Sequence, residues 1–386
     1  MLGRTDKNPI AEWWWTVDRL LLVFILALMT TGVILSLAAS PPVALRLGLS
    51  EYHFVIRHII FIIPAIAILI GVSILSPQNI RRLAALVFIG ALVLTFATLV
   101  IGMEAKGAKR WLYLGGFSLQ PSEFLKPAFL VLAAWLFAEG TKRPDVPATL
   151  IACLLIVPVV TPLILQPDFG QTLLIAIAWA ALFFMAGMPW GWIVLLGGVG
   201  IVGSVGAYFT MDHVARRIDR FLDPSSGDTY QVDRAIESFT SGGWFGRGPG
   251  EGIVKRALPD SHTDFIFAVA GEEFGAIFCL IVVAIFAAFV VRGLSRSYRA
   301  SDAFLRLAPA GLCMLIGLQA TINMAVNLSL VPAKGMTLPF ISYGGSSMLS
   351  LAFAGGMILG LTRRRTDPIA VRSAHADRMF AESPAE

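Results

Sequence analysis

The sequence predicts an all-α integral membrane protein with about ten transmembrane helices. Of its 386 residues, 56% are hydrophobic and only 14% are charged, and the mean hydropathy is +0.76. Soluble domains are about 45–50% apolar and about 25% charged. Ten apolar segments are also each long enough for a membrane-spanning helix, which needs roughly 17–25 residues. These segments begin near Leu20, Ile59, Leu83, Glu123, Thr149, Thr172, Trp192, Phe265, Phe304 and Ser347.

The basic residues predict that both termini are cytoplasmic. An even number of spans places the termini on one side, and the short connections on that side are the basic ones, as the positive-inside rule requires. One large periplasmic loop, residues 211–264, then lies between helices 7 and 8. The basic residues are scattered instead of forming one patch, so no nucleic-acid partner is expected. The inner connections carry Arg81, Arg82, Lys142, Arg143, Arg292, Arg296, Arg299, Arg363, Arg364 and Arg365.

We interpret residues 1–365 as a single polytopic membrane domain. The remaining residues, 366–386, are polar and are predicted to form a disordered cytoplasmic tail. The first apolar segment ends in LAAS, which is similar to a signal-peptide cleavage site. At about 20 residues, this segment is longer than a typical signal-peptide core, so we expect an uncleaved span.

Polar residues inside apolar segments are costly and mark candidate functional sites. Glu123 and Lys126 share one helix face, where they form either a self-contained salt bridge or part of a polar cavity. Glu272 and Glu273 lie about 100° apart around a helix, so they are not expected to share a partner. A polar stripe in the ninth segment is typical of interhelical hydrogen bonds. It consists of Gln319, Asn323 and Asn327.

Asp264 lies at the predicted outer boundary of the eighth segment, where a carboxylate could meet both water and a lipid-linked substrate. Partial desolvation there would favour proton uptake, as a general base requires. A boundary aspartate is also a common helix N-cap. The residues alone leave both interpretations open.

Five motifs follow one another along nearly the whole chain. In order, they are KRWLYLGGFSLQPSEFLK, QPDFG, GGWFGRGPGEG, LPDSHTDFIFAVAGEEFG and VPAKGMTLPFISYGGSS. The set resembles the SEDS family (shape, elongation, division and sporulation), the FtsW/RodA group of bacterial inner-membrane proteins. The resemblance implies a ten-helix glycosyltransferase that polymerises lipid II, the undecaprenyl-pyrophosphate-linked disaccharide-pentapeptide, into glycan strands at the periplasmic face.

The resemblance further implies where the protein acts and with which partners. A class B penicillin-binding protein, a transpeptidase, would cross-link the product, and other division proteins would join them at the septum. Lys334 resembles the turn of the division branch more than that of the elongation branch. Ala333 and Asp260 depart from the family pattern, where threonine and glutamate are usual, and the second departure leaves the role of position 260 in doubt.

The same resemblance implies that Asp264 is the catalytic residue. Pyrophosphate is a good leaving group, so the reaction needs one base and a cation clamp, in contrast to the two carboxylates of an inverting glycosidase. The candidate cations are Arg110, Lys126 and Lys334, and a divalent cation, Mg²⁺ or Mn²⁺, is a candidate addition. Further candidates for substrate binding are Glu123, His262, Ser342 and Tyr343.

Three alternatives compete with a division polymerase. An elongation polymerase of the RodA type would perform the same chemistry. A lipid II flippase would use Glu123, Lys126 and the polar stripe as a path, but no internal repeat typical of transporters is detectable. A non-catalytic scaffold would leave Asp264 and the large loop without a role.

Overall fold

The computed structural model describes residues 8–105, 108–115, 117–143, 145–223, 229–332 and 335–364. Lys334 and the tail from residue 365 onward therefore lie outside the described residues. The helices are α1 (Pro9–Thr16), α2 (Arg19–Arg46), α3 (His53–Ile74), α4 (Pro77–Ile101), α5 (Pro121–Lys142), α6 (Ala148–Leu154), α7 (Ile156–Leu165), α8 (Phe169–Met185), α9 (Trp190–Thr210), α10 (Asp212–Leu222), α11 (Tyr230–Gly242), α12 (Ile266–Tyr298), α13 (Ala303–Asn327) and α14 (Gly345–Leu361).

The predicted all-α membrane class is confirmed. Within the described residues, eight helices are long and apolar enough to cross a membrane, with α6 and α7 counted as one. Two shorter apolar helices, α8 and α14, correspond to the sixth and tenth predicted segments. Every predicted segment thus has a helix that begins within a few residues of the expected start.

A small antiparallel sheet, not predicted from the sequence, occupies the connection between α4 and α5. Its strands are β1 (Met103–Ala105), β2 (Ala108–Leu114) and β3 (Phe117–Leu119), in the order β1-β2-β3. The aromatic and aliphatic residues of RWLYL suit a pleated strand. Arg110 lies on the central strand β2, where a register shift interrupts the pairing with β1.

The centre of the helix bundle is formed by α5, α13 and α14. Helix α14 is buried along almost its entire length and packs closely against α3. A side chain at Gly356 would approach the carbonyl oxygen of Leu69 to 2.8 Å. Small residues therefore allow the two helix backbones to approach each other, as is common in membranes.

Helix α2 contains two consecutive prolines, Pro41 and Pro42, within its continuous length. Because proline has no N–H group, Ala38 loses its usual intrahelical partner. The carbonyl oxygen of Ala38 instead accepts a hydrogen bond of 3.0 Å from the Lys255 ammonium. The LAAS motif of the sequence lies inside this helix, as expected for an uncleaved span.

Helix α12 is broken at Gly275, whose backbone has φ 80° and ψ 177°. A glycine-rich loop completes the broken helix from outside. Gly248 N–H donates to the carbonyl oxygen of Glu273 at 3.0 Å, and Ala276 N–H donates to the carbonyl oxygen of Gly243 at 2.9 Å. In a bilayer, irregular backbone is tolerated only where such partners exist.

The linking segment, which we define as residues 242–265, joins α11 to α12 in the chain. It also contacts α2. It contains GGWFGRGPGEG and ends at Asp264 and Phe265, directly before α12. A side chain at Gly246 would approach the carbonyl oxygen of Glu273 to 2.2 Å, so the absence of a side chain there permits the close approach of the two backbones.

The break in α12 predicts a strict requirement for glycine at residue 275. Gly275→Ala should lower the free energy of unfolding by about 1–3 kcal/mol, because this backbone region is almost exclusive to glycine. Its new Cβ would also lie 2.4 Å from Gly246 N. The measurement is thermal unfolding in detergent, followed by tryptophan fluorescence.

Gly90→Ala in α4 is the matched control, because no atom lies within 4 Å of its added Cβ. That variant should be neutral or slightly more stable. Equal stability of both variants would show that the break does not constrain residue 275.

Candidate active site

A cavity of about 610 Å³ lies at one end of the helix bundle. Its walls come from the small sheet, from the segment that precedes α14, and from the first residues of several helices. The lining includes Tyr343 and five charged residues, Arg57, Arg110, Glu123, Asp260 and Asp264.

Several helices begin at this cavity. Glu123 lies in the first turn of α5, Gln171 in the first turn of α8, Ser347 in the first turn of α14, and Asp264 directly precedes α12. The N-terminal end of a helix carries a partial positive charge and free N–H groups. These helix ends therefore favour an anion such as a phosphate, in a cavity that three carboxylates also line.

Asp264 is half-buried and lines the cavity at the end of a tight turn. The carbonyl oxygen of Asp260 accepts hydrogen bonds from the backbone N–H groups of Thr263 and Asp264, each at 3.1 Å. A side chain at Gly335 would lie 3.3 Å from Asp264 Oδ2, so glycine leaves space beside the carboxylate.

The polar stripe of α13 holds this turn in place. Asn323 and Asn327 each donate a hydrogen bond of 2.9 Å to the backbone carbonyl oxygen of Asp264. Asn323 also donates to the carbonyl oxygen of Met336, and Gln319 donates to that of Thr337. The stripe therefore makes hydrogen bonds between elements, as predicted, and joins the two segments that border the cavity.

The segment before α14 is fixed to the same turn. Ser342 is buried, and its hydroxyl donates to the carbonyl oxygen of Thr263 at 2.6 Å. The N–H group of Tyr343 donates to the carbonyl oxygen of His262 at 3.0 Å. The His262 ring is buried between Phe54, at 4.5 Å, and Tyr343, at 5.5 Å between ring centres. Tyr343 lines the cavity, whereas His262 and Ser342 support its wall.

Arg110 is oriented by the QPDFG motif. It donates to the carbonyl oxygen of Pro167 at 2.9 Å and forms an ion pair of 3.3 Å with Asp168. Burial raises the pKa of the Asp168 carboxyl, and the charge of Arg110 opposes this shift. The guanidinium group still reaches the cavity, where it supplies positive charge.

Glu123 and Lys126 satisfy both interpretations of their spacing. They form a buried salt bridge of 3.0 Å, and Lys126 also donates to Gln171 Oε1 at 2.8 Å. Glu123 lines the cavity, whereas Lys126 is only 2% exposed and lies behind it. Lys126 can therefore act on a bound substrate only through cavity residues that it contacts, Glu123 and Gln171.

Arg57 is a cavity residue that the sequence analysis missed. It lies near the start of α3, lines the cavity and interacts with Tyr343, whose pKa is raised by burial and lowered in part by this arginine. Arg57 and Arg110 are the basic side chains that line the cavity in the described part of the chain. The signal in the sequence is an isolated arginine at the border of an apolar segment.

Glu272 and Glu273 lie deeper in the structure, and the expectation that they do not share a partner is wrong. Glu272 accepts hydrogen bonds of 2.6, 2.7 and 2.8 Å from the backbone N–H groups of Ile253, Val254 and Lys255. Glu273 pairs with the Lys255 ammonium. Lys255 contacts both acids because its backbone N–H group and its side-chain ammonium group point in different directions.

No group of three or more His, Cys, Asp or Glu side chains suited to a metal ion occurs among the residues that the structure describes. The observed residues therefore do not identify ligands for the divalent cation considered above.

The buried pair in α5 predicts strongly non-additive effects on stability. Lys126→Met should lower the free energy of unfolding by about 3–5 kcal/mol, because it leaves Glu123 buried and unpaired. The double variant Glu123→Gln, Lys126→Met should recover most of this loss in a thermal unfolding experiment. Additive losses would contradict the pairing.

Comparisons with known proteins agree with this architecture. Residues 18–367 match the family model FTSW_RODA_SPOVE, described as "Cell cycle protein". A protein of Caulobacter vibrioides named "Probable peptidoglycan glycosyltransferase FtsW" is 50% identical over 94% of this chain and 93% of its own length. A protein of Aliivibrio salmonicida with the same name is 33% identical, over 91% and 92%.

Solved structures share the fold. One chain, from a study titled "Structural coordination of polymerization and crosslinking by a peptidoglycan synthase complex", is 27% identical with a TM-score of 0.75, over 90% of this chain and 97% of that one. The rod shape determining protein RodA of Thermus thermophilus is 23% identical with a TM-score of 0.68, over 92% and 99%. The chain thus belongs to the FtsW/RodA/SpoVE family of cell cycle proteins.

Proposed function

We propose that this protein is a peptidoglycan glycosyltransferase that polymerises lipid II into glycan strands at the periplasmic face of the inner membrane. The observation that carries the proposal is one cavity in which a carboxylate, Asp264, faces the same space as the guanidinium groups of Arg57 and Arg110. The names of the relatives support the same activity.

The chemistry requires one base and compensation of negative charge. Asp264 accepts the proton of the 4-hydroxyl of the acceptor sugar while that oxygen attacks the anomeric carbon of the donor. The bond to the pyrophosphate oxygen breaks, and undecaprenyl pyrophosphate leaves with the electron pair. A positioned general base contributes about 10²–10⁴-fold to such a rate.

The arginines stabilise the charge that develops on the leaving group. Arg57 and Arg110 reach the cavity from different elements, α3 and β2, and helix N-terminal ends surround the same space. Glu123, supported by Lys126, and Tyr343 are candidates for contacts to sugar hydroxyls. His262 and Ser342 hold the wall beside them. Lys334 remains a candidate cation on the basis of the sequence alone, and no step is assigned to a metal ion.

The position of basic residues supports a periplasmic cavity. Helix α5 begins at the cavity and ends at Lys142, which pairs with Asp302 at the opposite end. At that end, Arg292 and Arg296 also pair with Asp18. With basic residues on the cytoplasmic side, the cavity faces the periplasm, where lipid-linked precursors are polymerised.

The relatives support a role in division. The proposed partners are a class B penicillin-binding protein and other division proteins at the septum. The relatives cited above carry the division name FtsW, which favours division over a RodA-type role in elongation. The structural relative from a peptidoglycan synthase complex is consistent with a transpeptidase partner.

The contacts of the buried polar residues argue against a flippase path. Lys126, Gln319 and Asn323 are all hydrogen-bonded to other parts of the chain, and none of them lines the cavity. Of the proposed path residues, Glu123 alone lines it.

Loss of the base predicts loss of polymerisation. Asp264→Asn should reduce the rate by about 10²–10⁴-fold, because the amide cannot accept the proton. The assay combines the purified protein with its penicillin-binding partner and labelled lipid II, and resolves glycan strands by electrophoresis.

Asp260→Asn is the matched control, because it removes a second carboxylate from the same cavity. It should cost much less activity, and an equal loss in both variants would refute a unique base. If wild-type protein makes no strands but moves lipid II across vesicles, the flippase alternative is correct.

Removal of Arg57 should weaken stabilisation of the leaving group. Arg57→Ala is expected to lower kcat/KM for lipid II by about 10- to 100-fold, the value of one or two charged hydrogen bonds, whereas Arg57→Lys should retain part of the activity. Arg234→Ala, at a half-exposed ion pair on α11, is the control and should have little effect. Unchanged kcat/KM in Arg57→Ala would remove this residue from the clamp.

A further inference from the structure

The linking segment contains a buried cation that the proposed chemistry does not use. Lys255 is only 4% exposed, and it lies on a short 3-10 turn, nine residues before Asp264. Its ammonium group contacts two membrane helices at once. It donates to the carbonyl oxygen of Ala38 in α2 and pairs with Glu273 in α12.

Both contacts are at places where the backbone hydrogen bonding of a helix is interrupted. Ala38 lies four residues before Pro42, so its carbonyl oxygen has no partner within α2. Glu273 lies two residues before Gly275, where α12 breaks. The same lysine therefore replaces the donor that Pro42 cannot supply in α2, and its charge pairs with Glu273 beside the break of α12.

Two further contacts fix the part of the linking segment between Lys255 and Asp264 to α2. The hydroxyl of Ser261 donates to the carbonyl oxygen of Ala39 at 3.2 Å. Arg46, at the end of α2, donates to the carbonyl oxygen of Leu258 at 3.0 Å. This part of the segment is thus attached to α2 at three points, and Lys255 contacts the residue of α2 that is farthest from the C-terminal end of that helix.

Helix α2 also contacts the other border of the cavity. A side chain at Gly32 would lie 2.8 Å from the carbonyl oxygens of Phe340 and Ile341, which belong to the segment before α14. One helix therefore supports both segments that border the cavity. A shift of the linking segment along α2 would move Asp264 relative to Tyr343.

We propose that Lys255 is a positioning residue for Asp264: it joins the Ala38 carbonyl oxygen of α2 to Glu273 of α12 and so holds the linking segment at a fixed depth. This inference rests on the proposed polymerase activity. Net stability alone does not explain the pair, because a buried ion pair often stabilises no better than apolar residues of similar size. The pair matters more for the position of Asp264, because a displacement of about 1 Å at a reacting group can reduce the reaction rate by about 10²-fold.

The test separates position from stability with three variants. Lys255→Met removes both contacts, Glu273→Gln preserves an oxygen acceptor and the bond to Ala38, and the double variant removes the unpaired charge. In the lipid II assay, Lys255→Met and the double variant should lower kcat by about 10- to 100-fold with little change in KM. The melting temperature should fall in Lys255→Met and recover in the double variant.

Glu273→Gln should retain most of the activity. Lys142→Met, at an exposed ion pair at the opposite end, is the control and should keep kcat within about twofold, the range of surface substitutions. Full recovery of kcat in the double variant would overturn the proposal, because Lys255 would then serve stability alone. A raised KM with unchanged kcat would also overturn it, since it would indicate direct substrate binding.

Hydrogen–deuterium exchange provides a readout that does not depend on activity. Backbone amides of residues 258–265 should exchange faster in the double variant than in wild type, at equal melting temperature. Unchanged exchange would refute the positioning role even if the protein proved not to be a polymerase. Failure of wild-type protein to polymerise lipid II, by contrast, would refute the proposed function alone.

Discussion

Unpaired backbone groups inside the membrane are the constraint on which this structure depends. In two spanning helices the ladder of backbone hydrogen bonds is interrupted: in α2 the proline pair lacks N–H donors, and α12 is broken at Gly275. Each interruption exposes carbonyl or N–H groups that lipid cannot satisfy. The linking segment, residues 242–265, supplies the missing partners for both helices. The chain that ends at Asp264 is therefore held inside the bundle by backbone hydrogen bonds.

This constraint also explains the arrangement of charges. The buried acids Glu272 and Glu273 hold the linking segment through Lys255 and three backbone N–H groups, whereas Asp264 remains half-exposed at the cavity. Deep carboxylates fix the backbone, and the shallow one is available for chemistry. Helix N-terminal ends and two arginines then bring positive charge to a cavity that also contains the carboxylates of Glu123, Asp260 and Asp264.

The sequence predicts some of these features well because they depend on local pattern. Hydropathy locates the spanning helices, and the i,i+3 spacing places Glu123 and Lys126 together. Contacts between distant segments leave no such pattern. The role of Arg57 depends on the packing of α3 against α14, and Lys255 meets both glutamates only because a loop folds back onto α12. The sheet around Arg110 was missed because two of its three strands, β1 and β3, have only three residues each.

The most direct test of the central claim is a cryo-electron microscopy structure of the protein with a lipid II analogue that cannot react. We expect the pyrophosphate to lie between Arg57 and Arg110. We also expect a sugar 4-hydroxyl about 2.6–3.2 Å from an Asp264 carboxylate oxygen, the distance that a general base requires. A pyrophosphate bound outside this cavity, or a carboxylate of Asp264 that faces lipid, would contradict the central claim.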